Sequence, residues 1–264
     1  MFWRQLTRLF ILDWSLLLAY RGEILLWLMA VTATPLLSLA IWYQVAKSSG
    51  PSLQQEILTY YLLLIVVRSA STSWRGYELI REILNGHVIS YLIRPPVIFW
   101  EFVTEFLTTK VLFLTPSVLI AALLILISPQ SFSPTIFSLP HLGLFSISLL
   151  LAVILSFTFD ICLGLTAFWL EDAQELMAFR FLLTQVASGV LIPFSLMPSW
   201  LHFALSFLPF RYTVSAPVEI LLGQITGLAA LQLLGIQLIW SIGLILLMRF
   251  LFVRGLKHYV IPGQ

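Results

Sequence analysis

Residues 142–170 carry one charge, Asp160, and residues 228–248 carry none. A helix needs roughly 20 apolar residues to cross a hydrocarbon layer about 30 Å thick. Both runs meet that length. Similar runs recur at 24–45, 57–73, 106–127 and 176–194, the second interrupted by Arg68 and the last carrying Arg180. Backbone in lipid must bond to itself, so runs of this kind fold as helices. Composition agrees: 60% of the chain is hydrophobic and 10% charged, against about 45–50% and about 25% in soluble domains. The chain reads as an all-α polytopic membrane protein with about six spans, and no stretch between the runs is long enough to build a soluble core. Residues 1–264 therefore form one membrane domain.

Lys and Arg placement sets the orientation. With the N-terminus in the cytoplasm, the inner side holds Arg4, Arg8, Arg21, Arg75, Arg81, Arg94, Lys110, Arg180, Arg249, Arg254 and Lys257, and the outer side only Lys47 and Arg211. Such an excess predicts both termini inside, and a plasma (inner) membrane is the expected location. The N-terminal stretch has Phe2, Leu6, Leu9, Phe10 and Leu17 on one helical face, with Arg4, Arg8 and Ser15 opposite. Asp13 breaks its apolar run, so an interfacial helix is expected there rather than a signal peptide.

The longest polar-rich segment is 74–96, WRGYELIREILNGHVISYLIRPP. Arg75, Glu78, Arg81 and Glu82 recur at helical spacing and make a wet face. Tyr77, Ile80, Leu84 and Val88 are expected to form the apolar one. Gly86 ends or bends this helix, and Arg94-Pro95-Pro96 stops any continuation. Between two spans, an amphipathic helix either lies in the headgroup layer or docks into a soluble partner and passes motion to the spans. A second unusual segment, 193–223, is nearly as apolar as a span but holds Pro193, Pro198, Pro209 and Pro217. Its pieces are too short to cross. Either two short helices dip into the outer leaflet and return, or the segment is an interfacial loop anchored by Trp200 and Tyr212.

Together these segments resemble the ABC-2 type permeases, the membrane subunits of ATP-driven transporters, and within them the six-span branch once filed as a family of unknown function. Leu92, Arg94 and Pro95 follow the polar helix as in that family. On the outer side the matching residues are Gly189, Pro193, Pro198, Trp200, Leu201, Leu208-Pro209-Phe210, Tyr212, Pro217 and Gly223. The resemblance implies an interfacial N-terminal helix, a cytoplasmic coupling helix between spans two and three, and short re-entrant helices after span five. It also implies two permease subunits and two ATP-binding subunits per transporter, exporting a substrate. Tyr77, Glu78, Arg81, Leu84, Arg94 and Pro95 are then the expected contacts to the ATPase. The family pattern offers no counterpart for Arg68 or Asp160.

The chain has no G-x-x-x-x-G-K-[ST] loop, so ATP and Mg²⁺ belong on a partner. His87, His141, His202 and His258 are scattered, and Cys162 is the only cysteine; no metal spacing and no intrachain disulfide results. No G-x-S-x-G or H-E-x-x-H occurs. Glu171, Asp172 and Glu175 read as a solvated turn. Charges inside a membrane are costly and should face protein or water. Arg68 and Asp160 have opposite sign and similar expected depth, so a structural pair across the bundle is expected, with one of them lining a substrate path as the alternative. The resemblance implies a non-catalytic permease subunit without a cofactor of its own. The rivals are an ion-coupled secondary transporter, disfavoured by the lack of an internal repeat, and an intramembrane enzyme, for which two polar residues are thin.

Overall fold

The computed structural model describes residues 10–11, 14–15, 21–87, 95–127 and 139–258. The expected interfacial N-terminal helix lies almost wholly outside them, as do Val88, Leu92, Arg94 and the tail beyond His258. Among the described residues every regular element is helical. In chain order these are α1 (Arg21–Lys47), α2 (Pro51–Ser71), α3 (Arg75–Leu84), α4 (Pro95–Ile127) and α5 (Leu139–Gly164). A 3₁₀ turn, Leu165–Phe168, extends α5. Then come α6 (Ala173–Ala187), a second 3₁₀ turn (Phe194–Leu196), α7 (Ser199–Ser206), α8 (Arg211–Leu221) and α9 (Gly227–His258).

Four described stretches are long and apolar enough to cross a membrane: Pro51–Leu84, Thr108–Leu126, Pro140–Phe168 and Gly227–His258. The first includes the break at 72–74 between α2 and α3. α1, at 27 residues, has the length as well. The chain is a multi-pass membrane protein.

Three boundaries differ from the sequence reading. Arg94-Pro95-Pro96 was expected to stop a helix; Pro95 instead opens α4. Proline suits a helix start, where its missing N–H would have no partner anyway. Likewise α2 begins at Pro51, ahead of the apolar run at 57–73. The expected fifth span, 176–194, is helical only to Ala187. Its 15 residues reach about 22 Å. The chain then turns through Gly189 at φ 84°. The carbonyls freed there are not orphaned. Tyr60 Oη donates to Gly189 O (3.0 Å), and Trp42 Nε1 (2.8 Å) and Tyr61 Oη (3.2 Å) donate to Leu191 O.

α2 and α5 run parallel through the middle, Tyr60 lying near Phe145 and Arg68 near Ser156, flanked by α1 and α4 on the α2 side and α9 on the α5 side. Tyr60, Tyr61, Leu64 and Val67 of α2 pack on Leu39 of α1 and on Val214 and Val218 of α8. Leu155 of α5 packs with Tyr212, Ala216 and Ile220 of α8 and with Leu233 and Leu244 of α9. α8 is thus enclosed by α2, α5 and α9, and all of its residues are buried. The start of α8 reaches the bundle interior. Gln237 of α9 accepts a hydrogen bond from Ser148 Oγ of α5 on Oε1 (2.9 Å) and donates from Nε2 to the carbonyls of Ser148 (3.1 Å) and Tyr212 (2.8 Å). The opposite end of the bundle carries α3.

Candidate functional site at the α3 end of the bundle

α3 has ten residues, and Gly76, Leu79, Ile80 and Ile83 are buried. They form one face at helical spacing and pack on Leu165 and Ala167 of the 3₁₀ turn and on Ala173 and Met177 of α6. This corrects the expected apolar stripe of Tyr77, Ile80, Leu84 and Val88. Ile80 is in the core, but Leu84 is 37% exposed, and Val88 lies outside the described residues. The face is rotated by about one residue because Gly76, invisible to a hydrophobicity pattern, makes the closest contact. A Cβ on Gly76 would meet the Asp160 carbonyl at 2.5 Å and Met177 Cε at 2.6 Å. One on Gly164 would sit 3.0 Å from the Gly76 carbonyl. Two glycines let the α3 and α5 backbones touch.

Trp74 precedes α3 and provides no side-chain cap. The cap comes from another helix. Asp160 of α5, fully buried, accepts the Gly76 N–H on Oδ2 at 2.8 Å. The carboxylate satisfies an orphan donor and meets the positive end of the helix. Its other oxygen is ion-paired with Arg180 of α6. The expected Arg68–Asp160 pair is therefore overturned. The 3₁₀ extension and the 169–172 turn fold α6 back along α5, and residues 160 and 180 lie equally far from residue 170. That symmetry about the acidic turn was the available sequence signal for the true partner.

The opposite face of α3 is polar. Arg75 bridges Glu78 (2.7 Å) and Glu82 (2.9 Å). Arg81, Leu84 and Asn85 are exposed. Asn85 N–H bonds the Arg81 carbonyl, and Gly86 turns the chain at φ 81°. Of the expected contact residues, Glu78, Arg81 and Leu84 thus share one accessible surface. Tyr77 is half-buried, its ring 6.1 Å from that of Trp74. Pro95 opens α4, and Arg94 lies outside the described residues.

Arg68 of α2 is 5% exposed, and its Nη1 has no hydrogen-bond partner. It lines a cavity of about 40 Å³ with Arg180, Trp74, Phe181, Ser156 and Thr213. The cavity lies between α3 and the start of α8. Arg180 Nε, also buried, has no partner either, while its Nη2 is 3.4 Å from Ser156 Oγ. Lys110 of α4 donates to the Thr72 carbonyl at the α2–α3 break.

The segment after α6 is largely enclosed. Pro193, Pro209 and Pro217 are buried, and Tyr212 is 2% exposed with its hydroxyl on the Ser206 carbonyl (2.7 Å). Tyr212 therefore does not anchor an interfacial loop. Pro198 and Trp200 are exposed, and Phe203 and Phe207 beside Trp200 extend an apolar lip. Two charges that the sequence reading left out of the bundle, Arg211 and Glu219, pair inside it at 2.7 Å. They are two helical turns apart in α8, a spacing that puts them on one face. Arg211 also bonds Ser206 Oγ at 2.8 Å and lies over the Phe194 ring at 4.7 Å. No group of His, Cys, Asp and Glu among the described residues could hold a metal.

Residues 28–263 match the sequence family described as ABC-2 family transporter protein. The chain belongs to that family. Neither a curated protein nor a solved structure matches it significantly. Family membership makes it the membrane domain of a transporter and not itself the catalyst. It also gives a frame to α3, a polar-faced helix set between two spans and clamped to two others.

Proposed function

We propose that this chain is the permease subunit of an ATP-driven exporter, energised by a separate ATP-hydrolysing subunit that binds ATP and Mg²⁺. In the assembled transporter two permeases, identical or related, face two ATPases across a plasma or inner membrane. Both termini and α3 lie in the cytoplasm, and α7 and α8 re-enter from the outer side. α1, α2, α4, α5 and α9 cross the membrane. α6, together with the chain through Leu191, makes the remaining passage.

The observation that carries this reading is the two-sidedness of α3. One face is locked to α5 and α6 through Asp160, Gly76 and Gly164. The other leaves Glu78, Arg81 and Leu84 open. A subunit docking on that face moves α5 and α6 with α3, because the buried face has no slack. Closure of two ATPases around ATP then rearranges the spans and opens a path outward. Surface charge sets partner choice and encounter rate more than affinity, so Arg81 and Glu78 would select the ATPase and Leu84 would add apolar contact.

The test is co-purification of the tagged chain in mild detergent, with partner chains identified. A stoichiometric chain bearing a phosphate-binding G-x-x-x-x-G-K-[ST] loop is expected, and Arg81→Glu should weaken its retention. A chain that purifies alone and transports without nucleotide would remove the reading and leave α3 as a headgroup-layer helix.

A further inference from the structure

We infer that the cavity between α3 and the start of α8 binds an anionic oxo group, a phosphate or a carboxylate, and that Arg68 is its principal ligand. The inference rests on the transporter reading only for its meaning, as the place where a cargo's charged group sits before export. Binding itself can be tested without the ATPase.

Three observations support it. First, a buried guanidinium without a counter-ion is among the least favourable arrangements in a protein interior. Arg68 is 5% exposed, its Nη1 has no partner, and among the described residues no ion pair to its guanidinium occurs. Second, the local charge is positive. Arg180 lines the same space with its own unsatisfied Nε, and Lys110 lies at the adjoining α2–α3 break. Asp160 is the acid in this cluster, and Arg180 and the Gly76 N–H already occupy its oxygens. Third, the walls suit a small oxyanion with an apolar body behind it. Ser156 brings a hydroxyl, Thr213 lines the wall with its own hydroxyl donated to the Phe210 carbonyl, and Trp74 and Phe181 form an aromatic rim, their rings 6.1 Å apart. Beyond Phe181, α6 exposes Phe179, Leu182 and Val186. Guanidinium groups are the preferred partners of phosphate and carboxylate because their planar N–H forks match two oxygens at once.

The site's position bears on transport. Trp74 belongs to the approach to α3, and Thr213 to the buried start of α8. A ligand held there touches both the element that would receive the ATPase's push and the element that blocks the far side.

The test uses the full chain, purified in an uncharged detergent without nucleotide, with its melting temperature followed during titration. A ligand that binds the folded form raises the melting point with concentration. The probes are dodecyl phosphate, dodecyltrimethylammonium and inorganic phosphate. Dodecyl phosphate is expected to stabilise and dodecyltrimethylammonium not to. Arg68→Gln should weaken the apparent affinity by about tenfold or more, as expected for a lost charge-assisted bond, with Arg68→Lys in between. Without ligand, Arg68→Gln should melt no lower than the natural chain, because it removes an unpaired buried charge. A purely structural arginine would behave in the opposite way. Inorganic phosphate separates the sources: equal stabilisation by phosphate alone assigns the site to a free anion, and a requirement for the alkyl chain assigns it to an amphiphile's head. Equal responses to the two dodecyl head groups, or an Arg68→Gln response matching the natural chain, would overturn the inference. Should Arg68→Gln fail to insert, the head-group comparison on the natural chain decides. Anion binding by a chain that brings down no ATPase would leave the site standing and sink the exporter reading.

Discussion

At the α3 end of the bundle, Asp160 holds Arg180 and the Gly76 N–H; at the other, Glu219 holds Arg211 inside α8 at 2.7 Å. Both are buried ion pairs with further hydrogen bonds, and each fixes a short helix in place. The surfaces they leave behind differ. α8 shows none of its residues to the outside, whereas α3 keeps Glu78, Arg81 and Leu84 available. The Arg211 pair lies within one helix and braces it inside the bundle. The Asp160 pair joins three helices and makes a joint. A buried ion pair is weak proof of net stability, but breaking one from a single side is strongly unfavourable. The useful distinction is therefore which helices separate when each pair is lost.

The largest effects should come from the acids. Asp160→Ala and Glu219→Ala each strand a buried arginine and should each destabilise by about 3–5 kcal/mol. Thermal unfolding in detergent measures both. The comparison sharpens if, at a temperature where both variants remain folded, only Asp160→Ala loses the ATPase subunit proposed to co-purify with the chain. It breaks if Glu219→Ala loses it equally, for then the two ends act as one unit.

The glycines come next. Gly189 sits at φ 84°, and a Cβ there would meet Tyr60 Oη at 2.5 Å, so Gly189→Ala should cost about 1–3 kcal/mol from strain and crowding. Gly76→Ala meets backbone at the same distance and should cost a comparable amount, about 1–3 kcal/mol. Only Gly76→Ala pushes α3 away from α5. Loss of ATP-driven transport should therefore accompany it, and Gly189→Ala should retain transport at equal folded yield.

Much of this was legible in the sequence. The apolar runs located the long helices, and the charge spacing at 75, 78 and 82 found the wet face of α3. The prolines marked the short helices after α6. What escaped was set by close approach and by pairing. Gly76 has no hydropathy signal, so the apolar face of α3 was placed one residue too far along. Arg68 and Asp160 matched in sign and depth, but depth does not fix rotation about a helix axis. The turn at 169–172 determines which residue faces Asp160, and that is Arg180. The early end of α6 was hidden because 188–194 is as apolar as a helix interior. The hydroxyls and indole that satisfy its free carbonyls, from Tyr60, Tyr61 and Trp42, lie on helices more than 120 residues away.

A smaller effect is expected inside the core between the two ends. Gln237 is fully buried with three hydrogen bonds tying α9 to α5 and to the start of α8. Gln237→Leu leaves the Tyr212 carbonyl and the Ser148 hydroxyl without it and should cost about 1–3 kcal/mol. If α8 moves during transport, turnover should change by more than this loss of stability explains, while ATPase retention stays as in the natural chain. That outcome would assign motion to α8 as well as to the joint at α3.

The smallest effect on folding should come from Arg81, and it is the most informative about the joint. Its side chain lies outside the Arg75–Glu78–Glu82 cluster on the exposed face, so Arg81→Glu should change stability by no more than about 0.5 kcal/mol. Glu78→Arg is a less clean probe, because it also breaks the 2.7 Å pair with Arg75. With the fold intact, any loss of ATPase retention in Arg81→Glu reports the docking surface alone. Raising the salt concentration should reproduce part of that loss in the natural chain, since exposed charges are screened over about 10 Å at 0.1 M ionic strength. Co-purification across a salt series, with both chains quantified, measures it. A variant that folds, retains its ATPase at every salt concentration and exports normally would show that the free face of α3 is merely wet, and the contrast between the two ends would reduce to one of exposure.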